Sequence, residues 1–105
     1  MRRGDVFGLR MPKSVGQEQQ APRLGVVVQD DAMLVRSVVL IAPTSLSART
    51  ASFRPEVEVA GTRSKVLVEQ MGAIDVSRLG DLVGRLTAEE IWGVDEALRT
   101  VLELH

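Results

Sequence analysis

Of the side chains that most often carry chemistry, cysteine is absent and histidine occurs once, as His105 at the end of the sequence. Without thiols there is no disulfide, no thiolate nucleophile and no Cys-based zinc or iron–sulfur site. Chain ends usually fray, so an imidazole there is poorly held for acid–base work or for a metal cluster. Any catalysis therefore falls to carboxylates, arginine, lysine and hydroxyls, and neither a metal nor a cofactor is expected. An arginine fork matches phosphate oxygens, but its pKa above about 12 makes it an electrostatic clamp and a poor proton donor. A solvated carboxylate, with a pKa near about 4, is a feeble base at neutral pH.

Those groups are distributed unevenly. Residues 1–55 hold eight Lys/Arg against four Asp/Glu, and residues 56–105 hold five against ten. The first half is thus at +4 and the second at −5, within a formal net charge of −1. A charge near zero argues against indiscriminate nucleic-acid binding, which draws its affinity from neutralising many phosphates. It leaves room for a small basic cleft in the first half. The 105 residues, 45% hydrophobic and 26% charged, have the size and composition of one folded domain spanning 1–105. No apolar run approaches the roughly 20 residues that cross a bilayer, and no apolar stretch follows the two N-terminal arginines. The expectation is a protein that neither spans a membrane nor is secreted.

The elements that must position these groups can be read from periodicity. Asp5 to Leu9, Leu24 to Gln29 and Val38 to Ala42 are short β-branched runs separated by loops with Gly, Pro, Ser and Gln, and they predict strands. A wholly apolar run suggests burial on both faces. The connection from Arg10 to Pro22 is too long for a tight hairpin, and such loops are often functional. Glu56-Val57-Glu58-Val59 alternates as a half-buried strand does, Lys65 to Glu69 reads as another strand, and Gly80 to Leu86 as one interrupted by glycines. Thr87-Ala88-Glu89-Glu90 fits a capping box. Ile91, Val94, Leu98, Val101 and Leu102 then fall three or four apart on one helical face. The reading is mainly β: a curled antiparallel sheet with a C-terminal helix packed on it.

Five blocks, in order, resemble the MazF/PemK family of bacterial toxins, endoribonucleases of type II toxin–antitoxin systems. They are Arg3-Gly4-Asp5-Val6-Phe7; Arg23-Leu24-Gly25-Val26-Val27-Val28-Gln29; Ala42-Pro43-Thr44-Ser45; Val68-Glu69-Gln70 with Ile74-Asp75 and Arg78-Leu79; and Val94-Asp95-Glu96-Ala97-Leu98. The likeness runs almost end to end. It implies an SH3-like small barrel of the CcdB/PemK type, a cytoplasmic homodimer, and a cognate MazE-like antitoxin whose acidic tail covers the RNA groove. It also implies cleavage of single-stranded RNA without metal, by the RNA's own 2′-hydroxyl, to 2′,3′-cyclic phosphate and 5′-hydroxyl ends.

By the same resemblance Arg23 and Thr44 are the catalytic pair, with Arg23 stabilising the phosphorane and Thr44 bonding a phosphate oxygen. Glu18 and Gln19 in the long loop, Ser45 and Gln70 are candidate RNA contacts. One local departure is visible: the family usually follows its arginine with proline, whereas here Pro22 precedes Arg23 and Leu24 follows it. Taken alone, Arg23 reads as a surface arginine opening a strand, Thr44-Ser45 as a turn-forming hydroxyl pair, Glu18 as a solvated loop carboxylate, and Trp92 as a core or interface anchor. Two other functions use the same fold. One is a CcdB-like toxin that binds DNA gyrase through the end of its terminal helix, although Leu102-Glu103-Leu104-His105 lacks the Trp-Gly-Ile ending of those proteins. The other is a binding module that has lost catalysis.

Overall fold

In the computed structural model, which describes residues 1–10, 23–33 and 37–104, the backbone runs through seven strands and ends in one helix. The strands are β1 (Asp5–Leu9), β2 (Arg23–Val27), β3 (Val38–Ser45), β4 (Glu56–Val59), β5 (Thr62–Val66), β6 (Gly72–Asp75) and β7 (Leu79–Arg85). The helix, α1, spans Ala88–Leu102. Every strand pairing is antiparallel, in the order β4-β5-β3-β2-β1-β7, with β6 also on β3. This is the curled antiparallel sheet with a terminal helix that the periodicity implies.

The curl depends on β3. Along one edge its first half, Val38–Ile41, pairs with β6, and its last two residues, Thr44 and Ser45, pair with Val66 and Lys65 of β5. Along the other edge Ile41, Ala42 and Pro43 pair with Val27, Val26 and Gly25 of β2. Pro43 stands where the strand changes partners. A proline has no N–H to give a ladder, so it is tolerated where one ladder stops and another begins. Its carbonyl instead accepts the Leu67 backbone N–H at 2.8 Å.

Alternation along β2 sends Val26 and Val28 to one face and Val27 to the other, and all three are buried. The inner face joins Val6, Val57, Val59, Val66 and Val68 to Val94 and Ala97 of α1. The outer face is a smaller cluster of Val27, Val39 and Ile41 with Phe7, Leu9 and Ile74 packed against it. Gly25 lets the outer cluster close over β2: a Cβ there would lie 2.4 Å from Ile41 Cγ2 and 3.1 Å from Leu9 Cδ2.

At the start of α1 the Thr87 hydroxyl accepts the Glu90 N–H at 3.1 Å, and Glu90 accepts the Thr87 N–H at 2.9 Å, completing the capping box. The other Glu90 oxygen accepts the Glu58 N–H at 2.9 Å, tying the helix to β4. Arg3 reaches Asp95 at 2.7 Å, and Asp5 pairs with Arg85 at 2.6 Å across β1 and β7. Burial alone would raise the Asp5 carboxyl. The Arg2 backbone N–H and the Arg85 guanidinium outweigh it, so the group sits below its ordinary value of 3.8.

Several boundaries differ from the sequence reading. β2 begins at Arg23 and ends at Val27, and β3 continues through Pro43 to Ser45. The run at Val38–Ala42 is not buried on both faces, because Val38 and Leu40 are exposed. The strand expected at Lys65–Glu69 comes earlier, as β5, and Val68–Gln70 is a 3-10 turn. β6 was not anticipated. On α1 the buried residues are Val94 and Ala97, whereas Leu102 is 47% exposed and Trp92, 65% exposed, is no core anchor.

Candidate functional site

Antiparallel pairing puts the start of β2 beside the end of β3. Gly25 is the first residue of β2 to pair with β3, opposite Pro43, so Arg23, two residues before the one, and Thr44 and Ser45, just after the other, come to the same rim of the sheet. The third contribution is the turn Val68–Gln70, which the Leu67-to-Pro43 hydrogen bond fastens to β3. Between them lies an open cleft of about 560 Å³ lined by Arg23, Thr44, Ser45, Gln70 and Arg54, with Leu24, Leu46 and Leu67 as its apolar floor and sides. A shallower, mostly aliphatic depression of about 190 Å³, formed by Leu9, Ile41, Pro43 and Ile74, adjoins it and shares Arg23 and Gln70.

Four of the six residues singled out in the sequence therefore line one cleft. Glu18 and Gln19 lie outside the described residues. Despite the reversed order of Pro22 and Arg23, Arg23 remains on the cleft wall. It forms no ion pair or side-chain hydrogen bond among the described residues. Thr44 is only 9% exposed, and its side chain likewise makes no hydrogen bond among them. Ser45 differs: its Oγ accepts the Ser47 and Ala48 backbone N–H groups at 3.3 and 3.0 Å. A hydroxyl used as an acceptor on two sides keeps its proton for an incoming acceptor.

Arg54 is the residue that sequence reasoning missed. Its Nε donates to Glu69 Oε2 at 3.0 Å, its Nη2 stands 2.9 Å from the same oxygen in an ion pair, and its Nη1 donates to the Arg49 carbonyl at 3.1 Å. The guanidinium also lies 5.6 Å from the centre of the Phe53 ring. Nothing in the linear spacing joins position 54 to position 69, although Glu69 itself belongs to the Glu69-Gln70 block. Among the described residues no group of three or more His, Cys, Asp or Glu is placed to hold a metal ion. No helix among them is long and apolar enough to cross a membrane.

The cleft has donors on a rigid rim and open access, which suits an extended anionic ligand. The profile of the PemK-like, MazF-like toxins of type II toxin–antitoxin systems matches residues 2–102, nearly the whole chain. The chain belongs to this family. A Mycobacterium tuberculosis protein named as a toxin is 40% identical over 90 residues, 85% of this chain and 84% of its own length. The endoribonuclease EndoA of Bacillus subtilis is 32% identical over 111 residues, 99% of this chain and 96% of its own. In fold, the chain resembles a mycobacterial endoribonuclease solved in complex with its cognate antitoxin, with a TM-score of 0.84 at 18% identity, covering 100% of this chain and 97% of that one. The PemK/MazF chain described here thus shares with that solved structure the mainly β, half-barrel sheet and single C-terminal helix.

Proposed function

We propose that this PemK/MazF-family chain is a sequence-selective, metal-independent endoribonuclease acting on single-stranded RNA as the toxin of a toxin–antitoxin pair. Endoribonuclease activity is the named activity of its relative in Bacillus subtilis and of the mycobacterial protein that shares its fold. The observation that carries the finer reading is the convergence of Arg23, Thr44, Ser45 and Gln70 on one open cleft, with the Arg23 guanidinium unpaired among the described residues.

In the proposed reaction the ribose 2′-oxygen forms a bond to the adjacent phosphorus and the bond from phosphorus to the 5′-oxygen breaks. The 2′-hydroxyl loses its proton and the leaving oxygen gains one, giving a 2′,3′-cyclic phosphate and a 5′-hydroxyl. Charge builds on the non-bridging oxygens midway, and donors already aimed at that position lower the barrier most. Arg23 supplies two positively charged donors there and Thr44 a third hydrogen bond. Ser45, its oxygen engaged by two backbone N–H groups, offers its proton to a phosphate oxygen. Gln70, on the border between the polar cleft and the aliphatic depression, is suited to a base edge, and Glu18 and Gln19 are further candidates for recognition.

The cytoplasm, where RNA is at hand, is the proposed location. The partners are a second copy of the chain, forming a shared groove, and a cognate antitoxin with an acidic segment that suits the +4 balance of residues 1–55. The test is incubation of the purified protein with mixed-sequence RNA in EDTA, with fragment ends mapped chemically beside an Arg23→Ala variant. Discrete cuts bearing cyclic phosphates, absent from the variant, are the expected result. Intact RNA from a folded protein overturns the reading.

A further inference from the structure

Arg54 and Glu69 line or support the same cleft but stand outside the roles assigned above. A guanidinium has five N–H donors. Among the described residues Nε donates to Glu69 Oε2 and Nη1 to the Arg49 carbonyl, while Nη2 stands 2.9 Å from that same Glu69 oxygen, so part of the fork is left over for a ligand. The side chain is 23% exposed, and what it faces is the cleft. A long flexible cation usually loses side-chain entropy when it grips a ligand. Here that cost is already met within the fold, because Glu69, the Arg49 carbonyl and the Phe53 ring hold the guanidinium in one orientation.

The cleft volume of about 560 Å³ lies within the roughly 300–1,000 Å³ that encloses a ligand of drug size, which is about one nucleotide with the phosphates on either side of it. From this geometry we propose that Arg54 binds a backbone phosphate of the RNA other than the scissile one, and that Glu69 is the positioning residue that aims it. The inference rests on the reading of the cleft as an RNA groove. Glu69 contributes no contact to the substrate. Its Oε2 accepts the Arg54 Nε–H and ion-pairs with Nη2, and its Oε1 is buried with no hydrogen-bond partner among the described residues. Arg23 and Arg54 then divide the work: Arg23, without an ion pair among the described residues, follows charge as it develops, and Arg54, held by Glu69, fixes the register of the strand.

Removing Arg54 alone would strand a half-buried carboxylate, so the test uses two variants. In Arg54→Gln/Glu69→Gln both charges leave together and two amides can still bond each other. In Arg54→Lys the charge beside Glu69 stays, but the fork is lost. Binding of an oligonucleotide carrying a 2′-deoxyribose at the cut site is measured over a range of salt concentrations, and cleavage of the all-ribose version is measured alongside. The double variant is expected to bind about tenfold more weakly, as loss of a charged hydrogen bond implies. Its KM should rise in step while kcat stays within about twofold, a split that marks lost ground-state binding. The slope of log affinity against log salt should fall by about 0.7, the value for one phosphate on a single strand. Arg54→Lys should keep that slope and bind more weakly than the wild type.

If the wild type cuts RNA and both variants match it in KM and salt slope, Arg54 is a structural ion pair and the inference fails while the proposed function stands. A fall in kcat at unchanged KM overturns it equally. If the wild type neither cuts nor binds RNA, the functional reading itself falls and takes this one with it.

Discussion

The two arginines of the cleft are held in opposite ways. Arg23 sits on the strand wall, at the start of β2, where its backbone pairs with Leu9 of β1, and its charge meets no carboxylate among the described residues. Arg54 sits on the loop wall, where no ladder orients it, and the Glu69 carboxylate does so instead at the expense of free charge. The contrast teaches that a rigid sheet can present a bare cation, whereas a loop must neutralise one to aim it. Chemistry on a developing charge calls for the first arrangement, and holding a fixed charge in register is served by the second.

The sharpest way to break this contrast is Arg23→Ala. Single-turnover cleavage should fall by about 10²–10³-fold, the usual loss for one transition-state donor, with the thermal unfolding midpoint little changed because no partner among the described residues is left behind. A retained rate would move the chemistry off the strand wall. Gly25→Ala attacks the same wall through its backbone. A methyl group 2.4 Å from Ile41 Cγ2 pushes the Ile41 and Leu9 side chains of the outer cluster off β2, so a loss of about 1–3 kcal/mol in denaturant unfolding is expected, with reduced cleavage as Arg23 shifts. An unperturbed midpoint would mean that the wall yields more easily than its packing implies.

Thr44 refines the comparison. Thr44→Ser keeps the hydroxyl and Thr44→Val keeps the shape. The valine variant should cleave about tenfold more slowly and the serine variant near the wild-type rate, in keeping with one hydrogen bond to a charged oxygen. The smallest effect lies away from the cleft, in the paired Asp5 and Arg85 between β1 and β7. The folded-state pKa of Asp5 is depressed, so the stability it contributes is present at pH values above its ordinary value of 3.8 and is lost as pH falls through the lower, folded value. Urea unfolding measured between pH 5 and about 2 should show that loss, and Asp5→Asn should flatten it.

How much of this could be read in the chain depends on where the information lies. β1 and β4 match their sequence patterns residue for residue, because each patterned run is itself the strand. The capping box at Thr87 and the helix after it are equally local. Lys65 to Glu69 misled because Leu67 and Val68 are buried by the 3-10 turn as fully as a strand would bury them, and apolar content alone does not separate the two. β6, Gly72-Ala73-Ile74-Asp75, has neither the alternation nor the apolar run of a strand; its pairing with β3 makes it one. On α1 the spacing of large apolar residues points to Leu102, yet it is the small Ala97 that is buried and Leu102 that is exposed. Among site residues, Arg23, Thr44, Ser45 and Gln70 were found through family blocks. Arg54 was invisible because its function depends on a carboxylate fifteen residues away, brought to it only by the fold.

Pro43 marks the seam where β3 leaves one neighbour for another. Thr44 is the first residue on the far side of that seam, and Arg23 belongs to β2, which pairs along the opposite edge of β3. The two come within one cleft only while both ladders are closed, so the site serves as a proofreading mark on the finished fold. A chain in which β5 has not yet docked on β3 owns the side chains of the cleft but not the cleft. On the proposed reading, the interval between synthesis and folding is therefore one without cleavage.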